Sequence, residues 1–183
     1  VGAFHQPSLV YMNMDTINTL DERQFLSGLG EVIKSALIKD ISLLDYIEEH
    51  TQEIINKDTD VLTRIVTNSC IIKKGVVERD PKEFGERALL NFGHTLGHAI
   101  EKCADFKILH GECVVLGTVA ALKISLSRGL ISEADYNRVY ELFEKLGYNL
   151  DISYINPDEI IKTTKSDKKM DKTETLADVN TIP

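Results

Sequence analysis

The sequence predicts a mainly α protein, a multi-helix domain preceded by a short β or loop segment. Apolar residues recur at helical spacing from residue 20 onward, and residues that favour helix caps stand at the ends of several runs. No internal repeat or low-complexity linker divides the chain. With 183 residues, 43% of them hydrophobic, the chain is long enough to bury a sizeable core. We therefore expect one helical domain.

The first half of the chain predicts three helices after an irregular start. Residues 1–19 are interpreted as loop and short strand, with "LVYM" as the β-like run. Asp21 is the expected N-cap of the first helix, in "LDERQFLSGLGEVIKSALIKD". The second helix is the amphipathic run "SLLDYIEEHTQEIINK", and the third is "DTDVLTRIVTNSCIIKKGVVERD". Asp80-Pro81 ends the third, because proline cannot continue a helix.

The second half predicts four more helices. One extends from about Glu86 to Ala104, and the next, "GECVVLGTVAALKISLSRG", is apolar nearly all round and should be central. "SEADYNRVYELFEKLGY" begins at a Ser132 cap and ends at Gly147, as a surface helix would. "NPDEIIKTTKSD" predicts a short last helix.

Composition argues against several classes of protein. The net charge of -8 provides no general attraction to nucleic acid or to an anionic membrane. The longest apolar run, Cys113 to Leu126, is short for a bilayer and contains Lys123. We expect a cytoplasmic protein that binds neither nucleic acid nor membrane. The chain begins with Val1 rather than Met, which suggests a fragment of a longer protein.

Cysteine usage indicates a reducing compartment. Cys70, Cys103 and Cys113 form no CxxC pair, and their odd number leaves one thiol over in any pairing. We interpret all three as small core residues.

A polar stripe stands out in "RALLNFGHTLGHAIE". Its members follow steps of four, three, four and three, which return to one side of a helix: Arg87, Asn91, His94, His98 and Glu101. A solvated face is the ordinary explanation, but such faces are typically rich in Lys and Glu. The apolar remainder of this helix is too wide for a solvent-facing one. We therefore favour a stripe that faces an internal cavity and meets a ligand or a polar network there.

The histidines of the stripe suggest a metal site. His94 and His98 are four apart and can share an ion, although HxxxH also occurs by chance. Glu31 and Lys34 are three apart on an otherwise apolar helix, and a surface ion pair is the alternative there. His110 precedes a buried helix, where a lone histidine is more often a loop or cap residue.

Together these side chains fit a divalent metal with an anionic substrate. Lys34, Lys73 and Arg87 supply the positive charge, and the nitrogen-rich ligand set favours zinc. Spacing alone does not separate ligands from other polar residues.

Four motifs carry a resemblance to a known family: "VGAFHQP", "GLGEVIKSALIKD", "KKGVVERDPKEFGERALLNFGHTLGHAIE" and "LHGECVVLGTVAALKISLSRG". They resemble the C-terminal domain of the 3-dehydroquinate synthases, sugar phosphate cyclases of the shikimate pathway. The resemblance implies that residues 1–19 end the connection from an NAD-binding α/β domain absent from this chain. Residues 20–183 would then be the helical metal- and substrate-binding domain. It further implies a homodimer.

The resemblance also assigns residues. The zinc ligands, with cobalt as a possible substitute, fall on Glu31, His94 and His110. Proton transfer falls on Glu83 and His98. Substrate contacts fall on Lys34, Lys73, Arg87, Asn91 and, in "SDKK", Lys168 or its neighbour Lys169. NAD+ contacts fall on Thr16, Ile17, Asn18 and Thr19. Glu101 receives no role and is interpreted as a ligand's partner or as the exposed end of the stripe.

The implied reaction converts 3-deoxy-D-arabino-heptulosonate 7-phosphate to 3-dehydroquinate and phosphate, with NAD and zinc. Without the cofactor domain we expect the fragment to be inactive. One alternative is another sugar phosphate cyclase, such as a 2-epi-5-epi-valiolone or 2-deoxy-scyllo-inosose synthase. The other is a non-catalytic helical domain with a structural zinc site, which four protein ligands would close.

Overall fold

The computed structural model describes residues 8–165, and this part of the chain is helical without strands. Its α-helices are α1 (Glu22–Lys39), α2 (Ile41–Glu49), α3 (Thr51–Ile55), α4 (Thr59–Arg79), α5 (His94–Cys103), α6 (His110–Ser127), α7 (Glu133–Lys145) and α8 (Pro157–Thr164). Two 3₁₀ helices, Met14–Thr19 and Glu86–Asn91, complete the elements. The mainly α fold class is confirmed.

The β-like run near the start is a loop. Leu9, Val10, Tyr11 and Met12 are between 50% and 83% exposed and belong to no strand. Backbone pairing requires a second strand, and the elements around this run are helical throughout the described residues. The 3₁₀ helix that follows packs Met14 and Ile17 against the core.

Two hydrophobic clusters share α6. The main core joins α1, α2, α4 and α7 through fully buried side chains such as Ile33, Ile47 and Phe143. The smaller core joins α5, α6 and α8, with Ile100 at 1% exposure. Val115 faces the first cluster and Leu116 the second. The prediction that this helix is central is confirmed, because its two sides serve different cores.

The predicted second helix is in fact two helices. α2 ends at Glu49 and α3 begins at Thr51, with His50 between them at φ −113° and ψ 26°. The Thr51 hydroxyl donates to the carbonyls of Ile47 and Glu48, at 3.2 and 2.9 Å. Side-chain donors of this kind compete with the backbone for helical carbonyls and favour a bend.

The predicted helix from Glu86 to Ala104 is also wrong in its first half. Glu86–Asn91 is a 3₁₀ helix, Phe92 is non-helical at φ −53° and ψ 129°, and Gly93 has a left-handed φ of +76° before α5 begins. A Cβ at Gly93 would lie 2.5 Å from Thr118 Oγ1, so glycine allows α5 to start against α6. The stripe is therefore not one helix face, because Arg87 and Asn91 precede the break.

The other helix ends agree with the predictions. The Asp21 carboxylate accepts from the Gln24 amide at 2.9 Å, and Ser132 and Asp135 form a capping box. Gly147 adopts the expected left-handed φ, at +92°. None of the helices within residues 8–165 is long and apolar enough to cross a membrane.

The interpretation of the cysteines is wrong for one of the three. Cys113 is fully buried and Cys103 is half-buried, but Cys70 is exposed on α4. Burial raises the pKa of the Cys113 thiol to about 12, so this residue is an inert core side chain.

Candidate metal centre

Close helix packing brings three distant segments together. Gly111, at the start of α6, lies so near α1 that a Cβ there would be 1.8 Å from the Ser27 carbonyl oxygen. The Gly111 amide donates to the Ser27 hydroxyl at 3.0 Å. His110, the residue before this contact, is thereby placed beside α1, which carries Glu31.

The metal ligands assigned by the resemblance meet at this junction. His94 Nε2 and His110 Nε2 each lie 3.5 Å from Glu31 Oε1. The ligand atoms of Glu31, His94 and His110 all lie within 4.8 Å of one another. Two ligands at tetrahedral zinc stand about 3.3 Å apart, since each is bonded at about 2.0–2.1 Å. The donor set and its spacing therefore fit a divalent ion of this kind.

His94 is oriented for ligation through Nε2. Its Nδ1 lies 3.2 Å from the Phe92 carbonyl oxygen, to which a protonated Nδ1 donates. This hydrogen bond selects the tautomer whose Nε2 lone pair faces Glu31. Burial lowers the pKa of His94, and the charge of Lys34 lowers it further. The neutral imidazole, which is the form that binds a metal, is favoured.

Glu31 divides its two oxygens between different partners. Oε1 faces the histidines, and Oε2 accepts from Lys34 Nζ at 2.7 Å. Burial raises the pKa of Glu31, but Lys34 and the histidines outweigh that effect and hold it below its usual range. Lys34 is only 5% exposed and also donates to the Leu90 carbonyl at 2.8 Å. A surface ion pair, the alternative for this pair, does not describe it.

His98 and Glu101 lie next to the first triad, which consists of Glu31, His94 and His110. The His98 ring centroid is 5.4 Å from that of His94 and 5.6 Å from that of His110. Glu101 Oε2 is 3.6 Å from His110 Nδ1, on the opposite edge of the ring from Glu31. This contact with His110, with 20% of the Glu101 side chain exposed, does not fit the interpretation of Glu101 as the exposed end of the stripe. His98, Glu101 and His110 form a second group whose ligand atoms lie within 4.8 Å.

A tight loop holds three more residues of the predicted site. The Asp80 carboxylate accepts from the backbone amides of Phe84, Gly85 and Arg87, at 2.8–3.0 Å. These bonds lower the pKa of Asp80, and the bond from the Arg87 amide has the largest effect.

The side chains of this loop bond to one another. Asn91 Nδ2 donates to Glu83 Oε1 at 2.6 Å, and Arg87 Nη1 donates to the Pro81 carbonyl at 2.9 Å. Glu83 has a left-handed φ of +60°. Lys34 links the loop to the triad, because it reaches the carbonyl of Leu90 just before Asn91.

The remaining predicted residues lie apart or outside the described range. Lys73 is exposed on α4. Thr16, Asn18 and Thr19 are exposed on the first 3₁₀ helix, whereas Ile17 is half-buried. Lys168, Lys169 and the "VGAFHQP" motif lie outside the described residues.

The sequence reasoning missed one pair that supports the site. Glu112 accepts from Arg23 on α1 and from the Leu109 amide, at 2.7 Å in each case. It thereby fixes the first turn of α6, where His110 lies. The signal was weak, because a capping box usually begins with Ser or Thr and here the N-cap is Leu109.

Comparison with known proteins identifies the family. The profile of the family described as "3-dehydroquinate synthase C-terminal" matches residues 28–170. This chain belongs to that family. It is 44% identical over 170 residues to the 3-dehydroquinate synthase of Acetivibrio thermocellus, covering 93% of this chain and 47% of the relative. The 3-dehydroquinate synthase of Desulforamulus reducens is 40% identical, and the match covers 92% of this chain and 48% of that relative. The chain spans about half the length of these relatives.

Solved structures of sugar phosphate cyclases share the fold of this 3-dehydroquinate synthase C-terminal domain. A 2-epi-5-epi-valiolone synthase from Streptomyces hygroscopicus, with NAD+ and Zn2+ bound, matches this chain with a TM-score of 0.82 at 26% identity. The match covers 90% of this chain and 46% of the synthase chain. A 2-deoxy-scyllo-inosose synthase complexed with carbaglucose-6-phosphate, NAD+ and Co2+ has a TM-score of 0.65 at 28% identity, covering 85% and 43%. The resemblance read from the motifs is confirmed.

Proposed function

We propose that this chain is the metal- and substrate-binding part of a 3-dehydroquinate synthase, which converts 3-deoxy-D-arabino-heptulosonate 7-phosphate to 3-dehydroquinate and phosphate. The observation that carries the proposal is the convergence of Glu31, His94 and His110, with ligand atoms within 4.8 Å of one another. The 40–44% identity to enzymes of that name supports the choice of reaction. Because the chain spans about half of those enzymes, activity would require an NAD-binding domain as well.

Zinc, or cobalt in its place, would be held by Glu31 Oε1 and by Nε2 of His94 and His110. Three protein ligands leave a tetrahedral ion one open position, as in catalytic rather than structural zinc sites. His110 is the most exposed of the three, with 47% of its side chain accessible, so a ligand can approach from that side. A metal bound there supplies Lewis acidity towards the oxygens of the substrate. NAD+ would meet the chain at Thr16, Ile17, Asn18 and Thr19.

Lys34 would position the substrate beside the metal. An ammonium group has three N–H donors, and Glu31 and Leu90 accept two of them in the described part of the chain. The third can donate to a substrate hydroxyl or carboxylate. Since Lys34 is 5% exposed, this charge acts in a poorly solvated environment, where it attracts an anion more strongly than in water.

Arg87 and Asn91 would contact the same substrate from the 3₁₀ helix, with Lys73 and Lys168 as further cationic contacts. A substrate with a carboxylate at one end and a phosphate at the other suits several separate positive groups. An arginine can bind either anion through two parallel N–H donors.

His98 and Glu83 would transfer protons. His98 lies against both proposed histidine ligands but is not one of the three, and histidine is the side chain most often used as a general acid or base. Glu83 has a left-handed φ of +60°, which is costly for a residue with a Cβ. Its carboxylate accepts from Asn91, which links it to the substrate-binding residues.

A second candidate is another sugar phosphate cyclase, and the structural likeness to 2-epi-5-epi-valiolone and 2-deoxy-scyllo-inosose synthases favours it. Their identities of 26% and 28% are well below those of the 3-dehydroquinate synthases. A product assay on the chain joined to a cofactor domain would separate the candidates. A structural zinc site is less favoured, because it needs four protein ligands, and the group around Glu31 offers three within the described residues.

Metal analysis of single alanine variants tests the assignment. The variants Glu31→Ala, His94→Ala and His110→Ala should each lose tightly bound zinc, since two protein ligands hold the ion poorly. His98→Ala should keep one tight equivalent and lose dehydroquinate formation in the enzyme joined to a cofactor domain. Loss of tight zinc in His98→Ala together with its retention in His110→Ala would show that the ligand assignment is wrong.

A further inference from the structure

The His110 imidazole has a carboxylate at each of its two nitrogens. Glu31 Oε1 lies 3.5 Å from Nε2, and Glu101 Oε2 lies 3.6 Å from Nδ1. Both separations exceed an ordinary hydrogen bond and are close to the spacing of about 3.3 Å between two ligands of a tetrahedral ion. The Glu101 side of the ring thus repeats the geometry of the Glu31 side.

A third ligand completes the group on the Glu101 side. His98 and Glu101 are three residues apart on α5, so their side chains lie on one face of that helix. The His98 ring is 5.6 Å from the His110 ring and tilted by 31° to it. Ligand atoms of His98, Glu101 and His110 all lie within 4.8 Å, the same limit that the first triad meets.

We propose that His98, Glu101 and His110 form a second divalent-cation site, which shares His110 with the site assigned above to catalytic zinc. The donor set of two nitrogens and one carboxylate oxygen suits zinc or cobalt. Glu101 keeps 20% and His110 47% of its side chain exposed, so a hydrated ion can reach the group. The site rests on the proposed function only through the shared histidine.

The second site should bind more weakly than the first. In the first triad, Lys34 holds the carboxylate of Glu31, and the Phe92 carbonyl fixes His94. The first ion should therefore occupy this oriented triad. Both ions would be held by nitrogens of one ring, that of His110, so the second would bind against the charge of the first. The second ion therefore binds at higher concentration, and it occupies His98, which then cannot transfer a proton.

Calorimetric titration of the metal-free chain with Zn2+ alone tests the proposal. We expect one tight equivalent and a second that is at least about tenfold weaker, because the charge of the first ion opposes it. Glu101→Gln and His98→Ala should remove the weak equivalent and keep the tight one. The Glu31→Ala variant should lose the tight equivalent and keep the weak one. The exposed pair Glu141–Lys145 on α7 provides a control, because Glu141→Gln removes the same charge far along the chain and should keep both equivalents.

Two results would overturn the second site. One is a single equivalent in the unaltered chain at every zinc concentration short of precipitation. The other is a second equivalent that remains in both Glu101→Gln and His98→Ala, which would place the weakly bound ion elsewhere on the chain. Failure of the proposed function gives a different pattern, in which Glu31→Ala keeps its tight zinc. Circular dichroism of each variant checks that the helices are intact.

Discussion

At the scale of single residues, the candidate site depends on side chains that offer different atoms to different partners. Glu31 turns one oxygen to the histidines and the other to Lys34, and His110 turns one nitrogen to Glu31 and the other to Glu101. Each side chain is thereby oriented from two directions. Orientation of this kind lowers the entropy lost when a ligand is bound.

A second carboxylate, away from the triad, makes a residue-scale prediction about pH. Glu86 accepts from Arg79 and Lys39, at 2.7 and 2.6 Å, and these partners, Arg79 first, lower its pKa to about 2. A lowered pKa contributes stability above the unfolded-state pKa, about 4.5, and loses it as the pH falls towards 2. The unaltered chain should therefore unfold at a higher temperature than Glu86→Gln at pH 6.

Comparing the unaltered chain with Glu86→Gln also separates the contribution of Glu86 from general acid unfolding. Other carboxylates titrate equally in both, so the difference between their unfolding midpoints isolates Glu86. That difference should shrink from pH 4.5 downward and vanish near pH 2. A difference that stays constant over this range would contradict the shifted pKa.

At the scale of elements, the decisive feature is the break between the second 3₁₀ helix and α5. Gly93 turns the chain at φ +76°, and its missing Cβ leaves room for Thr118 on α6. The break separates Arg87 and Asn91, which precede it, from His94. Periodicity alone predicted one continuous helix, because glycine within a helical pattern is often tolerated. The contact with α6, which the local sequence does not contain, decides the outcome.

Gly93→Ala tests the break, with Gly129→Ala as the matched control. Both glycines have left-handed φ values, +76° and +69°, so both variants should lose about 1–2 kcal/mol from backbone strain. A Cβ at Gly129 meets nothing within 4 Å, whereas one at Gly93 lies 2.5 Å from Thr118 Oγ1. Gly93→Ala should therefore lose about 1–3 kcal/mol more in urea unfolding. Equal losses would show that the contact with α6 carries no constraint.

At the scale of the whole molecule, three segments far apart in sequence form the site. α1, α5 and α6 meet where α6 lies between the main core and the smaller core. The proposed ligands stand at the edge of these cores rather than inside one. The buried side chains therefore hold the three helices in place, while the exposed part of His110 keeps the site accessible.

The chain alone should not form dehydroquinate from the sugar acid phosphate. It spans 47% of the Acetivibrio thermocellus relative, and the proposed reaction needs NAD+, for which we infer a separate binding domain. The measurement is a product assay on the purified chain with zinc and NAD+, repeated with the chain joined to the N-terminal half of such a relative. Activity only in the joined protein is the expected result. Product formation by the purified chain alone would refute this dependence on a second domain.

The sequence by itself determined most of the helices and the family. Caps such as Asp21 and Ser132 and the breaker Asp80-Pro81 act within a few residues, so local sequence was enough to predict them. The motifs around Glu31, His94 and His110 carried the family resemblance. Spacing could not separate the proposed ligands from the proposed proton donor, and the ligand atoms that converge on Glu31 belong to His94 and His110 rather than to His94 and His98.

Only the tertiary structure decided where the stripe breaks and what Glu101 and Lys34 contact. Helical periodicity reports which residues share a face of one helix, but it contains no information on a second helix packed against it. The distances from Glu31 to His94 and His110, and from Glu101 to His110, arise between helices brought together by burial of their apolar sides. For that reason the polar stripe, which helical periodicity assigned to one helix, is divided in the folded protein between a 3₁₀ helix and α5.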